Sequence, residues 1–256
     1  MNNPKNYEET PNAHPDYIAE RNKRVKDFGT DKDLRSVSNL WRQLALQKKY
    51  MNNFSWLGRP MIQFPGDVLA IQELISAIKP NIIIETGIAH GGSLILSSSI
   101  MHLNNINNPQ VIGIDIDIRP HNHEQIRNSR FSDMISLIEG SSIDESVFNK
   151  VQEKIKDDDK IMVFLDSNHT HSHVLKELCL YSKLVSIGSY IVVFDTHVED
   201  LPDDYIWEDR PWGKGNNPKT AVHEWLKTNN QFEIDRYLEN KLLLTSAPDG
   251  FLYRRN

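Results

Sequence analysis

Residues 81–93 read Asn-Ile-Ile-Ile-Glu-Thr-Gly-Ile-Ala-His-Gly-Gly-Ser. The unbroken apolar run before Glu85 predicts a short strand buried on both faces. The glycines that follow let the chain turn sharply and let a ligand approach the backbone. The next stretch, SLILSSSIMHL (93–103), predicts a helix whose first free N–H groups face the loop.

The same grammar repeats on both sides. VIGIDID (111–117), MISLIEG (134–140), IMVFLD (161–166) and SYIVVFD (189–195) predict further strands. Helices are expected at VLAIQELISAI (68–78, opened by Asp67), SVFNKVQEKI (146–155), VLKELCLYSKL (174–184) and AVHEWLKTN (221–229). Strands alternating with helices predict an α/β fold with a mostly parallel sheet. FEIDRYL (232–238) and 241–255 read as two closing strands, the second interrupted by Ala-Pro-Asp-Gly.

Outside this core the sequence is less regular. Residues 1–33 are polar, carry Pro4, Pro11 and Pro15, and read as a loosely ordered arm in which a short helix can form. Residues 34–50 place Leu34, Val37, Leu40, Trp41 and Leu44 at helical spacing, predicting an apolar face laid on the core; a partner-binding helix is the alternative. We therefore expect an N-terminal extension with a helix over 1–60 and a catalytic domain over 61–256. Trp56-Leu57-Gly58 and Pro60-Met61 are expected as a pocket wall or a packing joint. The aperiodic stretch 201–220, with Trp207, Arg210, Trp212, Lys214 and Lys219, reads as a lid, or else as a surface loop or a contact between copies of the chain.

The 256 residues carry 29 Lys+Arg against 35 Asp+Glu, a net charge of -6, which argues against nucleic acid as the main partner. The single cysteine, Cys179, excludes an intramolecular disulfide and a cysteine-rich zinc cluster. No apolar run suits a membrane span, and the polar start lacks a signal peptide's apolar core, so a cytoplasmic protein is expected.

Ligands of open parallel sheets bind outside the carboxyl ends of the strands. Here each such end carries a carboxylate: Glu85, Asp115, Glu139, Asp166 and Asp195. The loop pattern E-T-G-x-x-x-G-G-S is not a dinucleotide fingerprint, and Glu85 would repel a pyrophosphate. It suits a cationic, hydrogen-bond-donating ligand such as S-adenosylmethionine, with Asp115 accepting from ribose hydroxyls. Asp166 and Asp195 end adjacent strands and suit Mg2+, which prefers oxygen ligands. His169 could take a proton from a hydroxyl acidified by the metal. Other roles stay open: Asp166 as a helix cap, His169 as an idle loop residue, and His90 as a ligand contact or a structural residue. His171 and His173 read as capping or surface residues.

Residues 61–254 resemble the cephalosporin hydroxylase/rhamnosyl O-methyltransferase family of S-adenosylmethionine-dependent methyltransferases. The resemblance rests on IIETGIAHGGS (83–93), VIGIDID (111–117), FLDSNH (164–169), YIVVFDT (190–196), WGKGNNPKTA (212–221) and KLLLTSAPDGFL (241–252). It implies a Rossmann-like class I methyltransferase sheet of seven strands, the last antiparallel. It implies methyl transfer from S-adenosylmethionine to a hydroxyl of a sugar, glycoside or natural product, helped by a divalent metal such as Mg2+. By position, Glu85 and Gly87 would line the methionine end of the cofactor, and Gly91, Gly92 and Ser93 the helix start. Asp115 would take the ribose, while Gly140, Ser141 and Ser142 would lie near the adenine. Asp166 and Asp195 would be metal carboxylates and His169 the general base. Related metal sites often carry Glu-Asp where this chain has Phe194-Asp195, so one carboxylate is missing; Asp117, Thr196, His197 or water would have to fill its place. A non-haem iron hydroxylase using His169, His171, His173 or His197, an NAD(P) oxidoreductase and a non-catalytic homologue are the alternatives.

Overall fold

The computed structural model describes residues 12–203, 205 and 209–256. Pro15 starts α1 (Pro15–Thr30), where its fixed φ and missing N–H cost nothing. His14 caps this helix by accepting from the Asp16 N–H. The helix within residues 1–33 is thus four turns long rather than short, and residues 1–11, with Pro4 and Pro11, lie outside the described residues. Asp31 caps α2 (Lys32–Gln47) through the Leu34 N–H, 2.9 Å away.

The face of α2 is not the predicted one. Val37, Leu40 and Leu44 are more than half exposed and Trp41 is 39% exposed, while Ser38, Arg42, Ala45 and Leu46 are buried. Polar anchoring overrides the apolar stripe. Arg42 pairs with Asp200 at 3.1 Å, and Gln43 donates to the Asp200 carbonyl. A guanidinium held this way must face inward, so the apolar stripe faces out.

Next comes a hairpin, β1 (Phe54–Trp56) and β2 (Arg59–Met61), joined by Leu57 and Gly58, both at positive φ. Then α3 (Pro65–Ile78) leads into β3 (Ile82–Thr86), whose five residues are all buried as the apolar run requires. The alternation continues through α4 (Gly92–Leu103), β4 (Gln110–Asp115), α5 (Pro120–Arg127), β5 (Ile135–Glu139), α6 (Glu145–Gln152), β6 (Ile161–Leu165), α7 (His171–Tyr181) and β7 (Tyr190–Val193). Helix α5 has no sequence expectation behind it, because it buries only Asn122 and Ile126 and so shows no apolar period.

After a 3-10 turn at Thr196–Asp200 come α8 (Pro218–Leu226), β8 (Phe232–Ile234), α9 (Arg236–Leu242) and β9 (Phe251–Arg254). The expected closing strands are therefore corrected. FEIDRYL stops being a strand at Asp235, whose carboxylate caps α9 through the Leu238 N–H at 3.0 Å. The residues 241–250 end that helix and loop, leaving β9 four residues long.

The sheet order is β5-β4-β3-β6-β7-β9-β8. Strands β3 to β7 run parallel, and β9 is antiparallel to both of its neighbours. Successive strand residues alternate between two apolar layers. Ile83, Phe164 and Val192 face one, and Ile84, Val163 and Ile191 face the other. Among the described residues, no helix is long and apolar enough to cross a membrane.

Candidate active site at the carboxyl edge of the sheet

From β3 the chain steps to β4 and β5 on one side, then crosses back to β6 and β7 on the other. The crevice sits at that reversal, as the topology demands. Gly87, just past β3, has φ +81°, and a Cβ there would lie 2.0 Å from the Asp166 carbonyl oxygen. Only glycine lets the two strand ends close this tightly.

A cavity of about 650 Å³ opens over this edge. Of the eleven predicted site residues, Gly87, Asp115, Ser141, Ser142, Asp166, His169 and Asp195 line it. Gly92 and Ser93 line a small adjoining pocket that shares Gly87 and Asp166. Gly91 faces Ile126, and Gly92 receives the Pro60 carbonyl of the hairpin. Glu85 lies beneath the wall, 3% exposed, and its Oε1 accepts from the Ser93 hydroxyl. Its Oε2 is buried with no hydrogen-bond partner among the described residues, and burial raises the pKa of the carboxyl to about 7.

The Asp115 carboxylate stitches two loops together. Oδ2 accepts from the N–H groups of Ile88 and Ala89, at 2.9 and 3.3 Å, and Oδ1 from that of Asp117. A carboxylate offers about four acceptor positions, so capacity for a hydroxyl remains. Glu139, the fifth strand-end carboxylate, turns away and accepts from the Ile118 N–H.

Asp166, His169 and Asp195 each place a ligand-capable atom within 4.8 Å of the others. Nε2 of His169 is 3.2 Å from Oδ2 of Asp195, and Gln63 donates to Oδ2 of Asp166 at 3.2 Å. Asp166 is therefore not the helix cap it could have been; Thr170 holds that position. Burial, then the charges of Asp195, Glu85, Glu177 and Asp67, push the Asp166 carboxyl well above the usual carboxylate range. Such a concentration of buried negative charge is costly unless a cation joins it. The donor set of two carboxylates and an imidazole thus fits a divalent cation.

The other expected third donors are elsewhere. Phe194 is buried against Phe164, ring centroids 6.2 Å apart. Asp117 is exposed beside Arg119, and the Thr196 hydroxyl donates to the Pro248 carbonyl at 2.6 Å. His197 is buried, with Nδ1 3.0 Å from the Ser246 carbonyl oxygen and 3.7 Å from Oδ1 of Asp195. His171 ties α7 to α8 through Thr220 and Glu224.

His173 corrects the expectation of a capping or surface residue: it lines the cavity. Its Nε2 is 3.0 Å from the Ser142 hydroxyl and 3.1 Å from that of Ser167, and both hydroxyls donate to the fully buried Glu177. An i, i+4 His–Glu pair on a helix was legible at 173 and 177, but its inward direction was not. Of the loop 201–220, Trp207 lies outside the described residues. Trp212 and Arg210 line the cavity. The Trp212 ring stands edge-on to His169 at 4.8 Å, and Arg210 lies over that indole.

The family described as "Rhamnosyl O-methyltransferase/CmcI" matches residues 48–255, nearly the whole described core. The chain belongs to that family. A relative within reach of simple alignment is the rhamnosyl O-methyltransferase of Mycobacterium tuberculosis (strain ATCC 25618 / H37Rv), 32% identical over 216 residues, which cover 81% of this chain and 82% of the relative. The family fold extends to solved structures. One, described as "cmcI-D160 Mg-SAM", superposes with a TM-score of 0.56 at 20% identity, covering 80% of this chain and 78% of that one. Another, the apo TDP-rhamnose 3'-O-methyltransferase CalS11, gives 0.52 at 15% identity, over 94% and 95% of the two chains. At these identities the likeness establishes the shared class I methyltransferase fold.

Proposed function

We propose that this chain transfers a methyl group from S-adenosylmethionine to a hydroxyl of a sugar or glycoside, with a divalent cation, Mg2+ first, at Asp166 and Asp195. The observation that carries this reading is the Asp166–His169–Asp195 cluster on the wall of a cavity that Gly87 and Asp115 also line. Family membership and relatives named for rhamnosyl O-methylation support the methyl transfer and the sugar acceptor.

The cofactor supplies an electrophilic methyl group, and the cation, when bound, makes an acceptor hydroxyl more acidic. The chain's own residues do the rest. Asp115 offers remaining lone pairs to ribose hydroxyls. Ser141 and Ser142 border the nucleoside side. Glu85, held by the Ser93 hydroxyl, lies behind the methionine end, where an ammonium would relieve its buried Oε2. His169, its Nε2 3.2 Å from Oδ2 of Asp195, is the base for the hydroxyl proton, and the nearby Asp195 charge then stabilises the imidazolium. Trp212 and Arg210 form a wall that excludes water from the transfer and offers a ring face to a sugar.

We further propose 61–256 as the catalytic unit, prefixed by the extension 1–60. Cytoplasmic residence is part of this reading, and the exposed free thiol of Cys179 suits a reducing compartment. A hydroxylase triad needs two histidines and one carboxylate on one face. The cluster here has one histidine and two carboxylates. Calorimetry with S-adenosylhomocysteine tests the reading first, and no binding at millimolar ligand would sink it. A methyl-transfer assay on rhamnose-bearing acceptors, with Mg2+ or with chelator, tests the rest.

A further inference from the structure

The segment that enters α3 touches Asp166 directly and reaches Asp195 through Ser246 and His197. Gln63, 5% exposed, donates from Nε2 to Oδ2 of Asp166 at 3.2 Å. Four residues later Asp67, with no exposed surface, accepts at Oδ2 from the Ser246 N–H at 2.8 Å and the Ser246 hydroxyl at 2.9 Å. The Ser246 carbonyl in turn receives the His197 N–H at 3.3 Å and lies 3.0 Å from Nδ1 of the His197 ring. His197 is two residues from Asp195, with Nδ1 3.7 Å from its Oδ1. Asp195 itself sits at φ +54°, in the left-handed region that aspartate tolerates better than most non-glycine residues.

Between the two contacts, Pro65 fixes the first turn of α3, and Gly66 passes so close to the 244–246 segment that a Cβ would lie 3.1 Å from the Leu244 carbonyl oxygen. The three linking side chains also give up hydrogen bonds. Gln63 Oε1, Asp67 Oδ1 and His197 Nε2 are buried with no partner among the described residues. Residues kept only for stability are normally satisfied when buried, and such costs gather at functional sites.

We propose that residues 63–67 form a brace that sets the spacing of the Asp166 and Asp195 carboxylates, with Gln63 and Asp67 as positioning residues. The proposal rests on the reading above that these carboxylates hold a divalent cation. Gln63 acts directly on Asp166; Asp67 acts through Ser246 and His197 on Asp195.

The test measures Mn2+ binding to the S-adenosylhomocysteine complex by electron paramagnetic resonance, alongside crystal structures of the same proteins. Gln63→Leu and Asp67→Ala should each weaken Mn2+ binding by about 10- to 100-fold. Asp67→Asn keeps an acceptor oxygen for Ser246 and should stay within about threefold of the wild type. The crystals should show the two carboxyl groups displaced in Gln63→Leu and Asp67→Ala but not in Asp67→Asn. Should Asp67→Ala fail to fold, Ser246→Ala, which removes one of the two contacts, replaces it with a smaller loss in the same direction. Folded Gln63→Leu or Asp67→Ala with wild-type Mn2+ affinity and unmoved carboxyl groups overturns the brace. A wild-type protein that binds no Mn2+ sinks the metal reading instead, and the carboxyl separation in the crystals then decides the brace alone.

Discussion

Nε2 of His169 lies 3.2 Å from Oδ2 of Asp195, and both line the same cavity. A carboxylate this close stabilises the imidazolium that forms when the ring takes up a proton. The two side chains come from the segments that follow two neighbouring strands, β6 and β7. His169→Ala should lower kcat by roughly 10²–10⁴-fold. It should leave S-adenosylhomocysteine binding nearly unchanged. Steady-state kinetics across pH checks this; full turnover in the variant would remove His169 from the base role.

Asp166 and Asp195 lie in a surplus of buried negative charge, so neutralising either one removes part of what attracts a cation. Asp166→Asn and Asp195→Asn should raise the Mg2+ concentration needed for half-maximal activity by more than about tenfold. Each should still bind S-adenosylhomocysteine, because Asp115 and the glycine loop are untouched. Calorimetry for the nucleoside and a metal titration of the rate separate the two effects. Metal-independent activity equal to the wild type's would assign the carboxylates another role.

Glu85 makes a prediction about pH and stability. Burial raises its pKa from 4.5 to about 7. Below 4.5 the folded and unfolded chains both hold the proton, so no cost arises. Between 4.5 and about 7 only the folded chain holds it, so stability falls as pH rises. Above that window the cost is constant, on the order of 3 kcal/mol. Asp67, raised by burial to about 6, acts in the same direction. Thermal unfolding of the ligand-free protein should therefore show Tm dropping from pH 4.5 towards 7, with a shallower drop in Glu85→Gln. Parallel curves for the two proteins would contradict the buried, unpaired carboxylate.

Much of the cavity edge was legible because strands buried on both faces leave an apolar run, and four of the five runs end in a carboxylate at or beneath that edge, while the fifth, Glu139, turns away. Glu85, Asp115, Asp166 and Asp195 could be placed at one edge from that alone. What stayed hidden depends on contacts between distant segments. Gln63 and Asp67 look like ordinary residues ahead of a helix until Asp166 and Ser246 fold onto them. The outward face of α2 was misread because an apolar stripe is locally persuasive, whereas the Arg42–Asp200 pair spans 158 positions. His173 was misjudged for the same reason: its partners Ser142 and Ser167 come from other loops. The closing strands failed on a smaller point, since Asp235 serves as a helix cap inside a strand-like pattern.

Trp212 connects the long loop to His169, its ring edge-on at 4.8 Å and covered by Arg210 on a face. An aromatic wall beside the base is where an acceptor would rest, not where the nucleoside would. Trp212→Ala should therefore raise KM for the acceptor while leaving the affinity for S-adenosylhomocysteine within about twofold. Losing one stacked ring costs roughly 1 kcal/mol or more, which is at least a fivefold change in KM. Trp212→Phe keeps a ring face and should recover most of it. If both variants kept the wild-type acceptor KM, the loop would cover the cavity without touching the acceptor. If instead Trp212→Ala lost cofactor affinity, the wall would belong to the nucleoside side.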